Sequence, residues 1–165
     1  MDINLIISIS SIVIAVSALG ATIYQAYLNR KHNRIAVTPH LHYWSKNDEL
    51  NNTYSLEVIN NGIGPARITK FELMLNGTIV EEKGMSKVSN TISKVFSGYE
   101  LQMSSAYLDH DNCISPNQSI RIFNIIFHES SSISERKFKE LLNQMRLVIT
   151  YESFYNDSFK LDSDV

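Results

Sequence analysis

The chain has 165 residues, 15 Lys and Arg against 17 Asp and Glu, and a single cysteine. That charge balance offers no basic face for nucleic acid. One cysteine excludes an internal disulfide, which fits a reducing compartment.

The first element is Ile3 to Leu28, a run without a charged residue, followed at once by Arg30, Lys31 and Arg34. Its most apolar part, residues 5–23, would span about 28 Å as a helix. A bilayer core is about 30 Å thick. A cleaved signal peptide would carry its positive charge ahead of the apolar run, where this chain has only Asp2. A buried helix of a soluble protein would be shorter. The segment 1–29 therefore reads as a single-pass transmembrane anchor, 30–36 as a basic juxtamembrane linker and 37–165 as the domain it carries. Tyr24 and Tyr27 fit an interfacial aromatic belt, and Arg30, Lys31 and Arg34 are the topology determinants. They predict an outside N-terminus and a cytoplasmic C-terminal domain at a bacterial inner membrane.

Within the anchor, Asn4, Ser8, Ser11, Ala15, Ala18, Thr22 and Gln25 follow alternating steps of four and three, a heptad seam. Small residues let membrane helices approach, and hydroxyls or amides can bond between them. The alternative is that each hydroxyl bonds back to its own helix. The seam predicts a packing face for a second copy or a partner transmembrane helix.

After residue 34 there are 12 Lys and Arg against 16 Asp and Glu, and the pattern turns to strands. Val37 to Trp44 alternates, with Leu41 and Tyr43 on one face and His40, His42 and Trp44 on the other. A polar loop is expected over 47–52. Tyr54, Leu56 and Val58 mark a second strand, and Asn60-Asn61-Gly62-Ile63-Gly64-Pro65 is a dense turn signal. The segment 66–75 reads as a long strand, and Asn76-Gly77 as a type I′ hairpin turn. Residues 86–97 have helical spacing behind Ser86 as a cap. A strand is expected over 101–108, a loop over 109–118 and a strongly β segment with a bulge over 119–127. The span 132–145 predicts an amphipathic helix capped by Ser134, with Phe138, Leu141, Leu142 and Met145 on one face. A strand over 146–155, a turn at Asn156-Asp157 and a short last strand complete the chain. Seven or so short strands with frequent turns indicate a β-sandwich, its ends covered by the two helices.

The segment Val58-Ile59-Asn60-Asn61-Gly62-Ile63-Gly64-Pro65-Ala66, with Leu73 to Gly77 and the closing hairpin from Ile149 to Phe159, resembles a group of uncharacterised bacterial proteins. Those combine one N-terminal transmembrane helix with an immunoglobulin-like β domain. The resemblance implies a mainly β fold and supplies no activity. Read from the residues, Asn60, Asn61, Gly62, Gly64 and Pro65 form a structural turn, in which the glycines permit positive φ and Pro65 fixes the start of the next strand.

Catalytic patterns are sparse. His40-x-His42 places two imidazoles on one strand face but lacks a third metal ligand. Asp109-His110-Asp111-Asn112-Cys113 lacks the central Gly and closing Glu of a calcium loop. No phosphate loop, nucleophile elbow or zinc motif occurs. The expectation is a non-enzymatic binding module without cofactor or metal, in contact with membrane lipid and an unknown protein partner. The alternative is a membrane-acting effector, toxic or defensive, whose assembled helices perturb the bilayer.

Overall fold

The computed structural model describes residues 2–131 and 133–163, in two compact units that divide between Ala36 and Val37. The first unit is one helix, α1, Ile3–Ile35, with no buried residue. By length and composition it can cross a membrane. It does not stop at the basic segment: Arg30, Lys31 and Arg34 are helical. After Gly20 no Gly or Pro occurs until Thr38-Pro39, where the proline disfavours helical geometry in the residue before it. At about 1.5 Å per residue the helix runs roughly 18 Å beyond its most apolar part.

The second unit is a two-sheet sandwich. Its strands are β1 Leu41–Asp48, β2 Thr53–Asn60, β3 Ala66–Leu75, β4 Thr78–Ile79, β5 Leu101–Ser105, β6 Cys113–Ile114, β7 Ser119–Phe127, β8 Met145–Glu152 and β9 Ser158–Asp162. Sheet A has the order β1-β2-β7-β5, and sheet B has β4-β3-β8-β9 with β6 added to β3. All pairs are antiparallel. This is the immunoglobulin-like division, with the first, second, fourth and fifth strands of that fold on one sheet and the rest on the other.

Alternation explains the inward faces, and two bulges explain where it breaks. In β3 the paired register jumps between Ile68 and Lys70, so Ile68 and Phe71 both face the core although three residues apart. In β7, Phe123 pairs with Leu56 and Arg121 with Glu57. Ile122 is the extra residue, and both it and Phe123 are buried. This is the bulge expected from the sequence.

Helix α2, Met85–Val95, packs on β5 and β3. It closes one side of the sandwich rather than an end, because the chain crosses there from sheet B to sheet A. Its start also differs from expectation. Gly84, at φ 67°, precedes the helix, and Ser86 lies inside it, its hydroxyl donating to the Lys83 carbonyl at 2.7 Å. Helix α3, Glu135–Leu142, is capped by Ser134, which accepts from the Lys137 amide. It is shorter than the expected span: Met145 begins β8, and Ser132 lies outside the described residues.

Phe138 of α3 stacks on Tyr54 at 4.3 Å and on Phe96 at 5.5 Å, with Phe127 edge-on to both Tyr54 and Phe96. The buried Tyr54 hydroxyl donates to the Ile133 carbonyl at 2.8 Å, so its polar end is satisfied. Other boundaries shift as well. β1 continues to Asp48, through the start of the expected loop, because its pairing with β2 runs to Asp48↔Thr53. The strand expected over 101–108 ends at Ser105. The expected loop 109–118 contributes β6, paired with Ala66 and Arg67.

Candidate functional site

The outward face of sheet A carries a cluster that no local pattern announces. Three strands place Trp44, Glu57 and Arg121 in one row: Trp44 pairs with Glu57, and Glu57 with Arg121. The Lys46 ammonium donates to Glu57 Oε2 at 3.1 Å. Arg121 donates through Nε and Nη2 to Oε1, each at 3.0 Å. The Glu57 side chain is only 9% exposed, while Lys46 and Arg121 are 60% and 54% exposed. Burial raises the Glu57 carboxyl pKa, but the hydrogen bonds and charges of Lys46 and Arg121 outweigh it and hold the group below its ordinary value.

One carboxylate between two cations leaves the trio a single positive charge, which the Asp48 carboxylate in the same lining balances. Both cations keep further donors directed at solvent. Beside them Trp44 stands 57% exposed. Trp44, Lys46, Asp48, Ser55, Arg121 and Asn124 line an open trough of about 650 Å³. At its rim, hydrogen bonds from the Asn51 side chain and then its amide lower the Asp48 pKa. The arrangement can bind: it offers a flat aromatic surface, fixed donors and little side-chain freedom left to lose.

The turn residues Asn60, Asn61, Gly62, Gly64 and Pro65 gather at one end of the sandwich. Asn60 is fully buried. Its Nδ2 donates to the Gly64 and Ile114 carbonyls at 2.8 and 2.9 Å, and its Oδ1 accepts from the His40 and Gly62 amides at 3.1 and 2.9 Å. Asn61 donates its amide to the His40 carbonyl at 2.8 Å. The glycines do not serve positive φ here; among the described glycines only Gly77 and Gly84 have it. They serve close approach. A Cβ on Gly62 would overlap the His40 amide, and one on Gly64 the Val37 carbonyl.

The other residues singled out in the sequence are dispersed. His40 is exposed ahead of β1, and His42 is exposed within it, its ring 5.5 Å from that of Tyr43. Among the described residues no three His, Cys, Asp or Glu are grouped to hold a metal. Cys113 is exposed. His110 Nδ1 lies 3.0 Å from Asp111 Oδ2. The seam residues Asn4, Ser8, Ser11, Ala15, Ala18, Thr22 and Gln25 are all exposed on α1. The Ser8, Ser11 and Thr22 hydroxyls each donate at 2.8 Å to the carbonyl four residues back. Arg30, Lys31 and Arg34 lie exposed near the C-terminal end of α1.

A family described as a domain of unknown function, DUF8453, matches residues 3–165. The chain belongs to that family. No curated protein matches the DUF8453 chain. A solved structure, the archaellum periplasmic stator protein FlaG from Sulfolobus acidocaldarius, is similar to it at 14% identity, with a TM-score of 0.26. That similarity covers 76% of the DUF8453 chain and 99% of FlaG. Glu57 and Arg121 are the site residues that sequence reasoning missed. A lone acid on the outward register of β2 was the available signal, but its partner lies 64 residues away.

Proposed function

We propose that this protein is a membrane-anchored, non-enzymatic binding module. Helix α1 holds it in the bacterial inner membrane with the N-terminus outside. The immunoglobulin-like domain stands on the cytoplasmic side and docks a protein partner through the outward face of sheet A. The observation that carries this reading is Trp44, an exposed indole beside a guanidinium already held by Glu57. Trp and Arg dominate the binding energy of protein interfaces, because a large rigid side chain buries much area at little entropic cost. Holding Arg121 before contact reduces that cost further.

A photo-crosslinking residue placed at Ser55 or Asn124 tests it in cells. One discrete heavier species is expected from either position, absent when Trp44 is replaced by Ala. Equal crosslinking from Ile63 and Phe154, exposed elsewhere on the domain, or a yield that ignores Trp44→Ala, would defeat the assignment to this face.

A further inference from the structure

Helix α2 starts without the side chain that ordinarily closes a helix N-terminus. Gly84 stands at the capping position, and no side chain bonds to the first turn. Ser86 commits its hydroxyl proton to the Lys83 carbonyl at 2.7 Å. The Lys87 amide donates to the Gly84 carbonyl at 3.1 Å. Among the described residues nothing accepts from the amides of Met85 and Ser86. The space at the cap is open: a Cβ on Gly84 would meet no atom within 4 Å. Free amides at the positive end of a helix dipole attract anions.

Lys87 points the same way. It is the third residue of the helix and only 8% exposed. Among the described residues its ammonium has neither a hydrogen-bond nor an ion-pair partner, although a lysine so buried is almost always paired. No fully buried side-chain nitrogen among the described residues lacks a partner, so the ammonium reaches the surface at the end of a buried stem. Helix side chains lean toward the N-terminus. Three residues of helix rise only about 4.5 Å, less than the length of an extended lysine side chain. The ammonium is therefore carried over the first turn, where the two free amides emerge. Exposed Lys83 adds a second cation just ahead of the helix. Of the nearby acids, Glu82 accepts from Asn90 and Lys94 at 2.8 and 3.3 Å, and Glu81 is exposed. Lysines 83, 87 and 94 against glutamates 81 and 82 leave one positive charge.

We propose that the start of α2 binds a terminal phosphate group, whose oxygens accept from the Met85 and Ser86 amides and from the Lys87 ammonium. A tetrahedral anion offers each donor its own oxygen, which a halide does not. Soluble monoesters and lipid headgroups both carry such a group, and two arms of the test tell them apart. The site is separate from the outward face of sheet A, so either can fail without the other.

In the first arm the full chain in phosphatidylcholine nanodiscs is titrated with inorganic phosphate, with chloride at matched ionic strength as the control. In the second arm phosphatidic acid replaces part of the lipid and no phosphate is added. The amide resonances of Met85 and Ser86 should shift and saturate in at least one arm, which names the source, and should not follow chloride. Lys87→Met keeps the buried stem and removes the ammonium. It should weaken binding by about tenfold or more at an unchanged melting temperature. Met85→Pro, tolerated at the first helical position, removes one free amide and should also weaken binding, read at Ser86; it serves if Lys87→Met does not fold. Lys139→Gln, which removes the same charge from α3, should leave the affinity unchanged. Shifts absent from both arms, shifts that chloride reproduces, or full affinity in the folded Lys87→Met or Met85→Pro variant would overturn the proposal and leave Lys87 a stem with a solvated end.

Discussion

Asn60 shows what one buried polar side chain can organise. Its amide joins residues 40, 62, 64 and 114 through four hydrogen bonds. Replacement by Ala would leave two amides and two carbonyls without that partner, and an unsatisfied buried group costs about 1–3 kcal/mol. Asn60→Ala should therefore destabilise the domain by about 3 kcal/mol or more, read as a lowered melting temperature in micelles. A loss below about 1 kcal/mol would mean that water replaces the amide.

Glu57 makes a pH prediction of known sign. Its folded-state pKa lies below the ordinary 4.5. Its contribution is therefore fully present above that value and is lost as pH falls through the lower, folded-state one. The stability difference between wild type and Glu57→Gln should shrink across that acid window. A difference independent of pH would show that the ion pairs with Lys46 and Arg121 are not its source.

At the scale of elements, α1 presents two faces that differ in the size of their side chains. Ser8, Ser11 and Thr22 already bond to carbonyls of their own helix. Interhelical hydrogen bonds in membranes average only about 0.6 kcal/mol. Any association must then rest on close backbone approach at Ala15 and Ala18. Replacing both by Ile should weaken self-association of the segment in a transmembrane reporter, with insertion preserved. Val13→Ile with Val16→Ile, on the opposite face, should change it little. Equal effects from both pairs, or a monomeric wild-type helix, would reduce the seam to tolerated polarity and remove support for the bilayer-perturbing alternative.

For the whole molecule, the proposed orientation rests on charge asymmetry across one helix. Arg30, Lys31 and Arg34 flank its C-terminal end, and Asp2 its N-terminal end. Short positively charged flanks stay in the cytoplasm. A reporter fused after Val165 should be active inside the cell and silent outside. The reverse result would put Cys113 and the four Asn-x-Ser/Thr sequons, which begin at Asn51, Asn76, Asn117 and Asn156, in an oxidising compartment and would change the class of partner available to Trp44.

Features set by neighbours within a few residues were legible in the chain itself. The uncharged run marked α1, alternation marked the strands, and residues 66–75 emerged as β3 with the bounds the structure has. Asn76 and Gly77 both adopt positive φ, as a type I′ turn requires. Ser134 caps α3, and the phase break from Ile122 to Ile125 announced the β7 bulge. Period and backbone preference are local, so a single chain displays them. The rest depended on residues far apart in sequence. Gly62 and Gly64 looked like flexible turn positions, and only the packed segment 37–40 shows that they are small because backbone lies against them. The Ser86 cap failed because Gly84 already turns the chain. Nothing near Glu57 names Lys46 and Arg121, which sheet register brings to it from 11 residues before and 64 after. Those contacts exist only once three strands are aligned, and alignment is a property of the folded sheet.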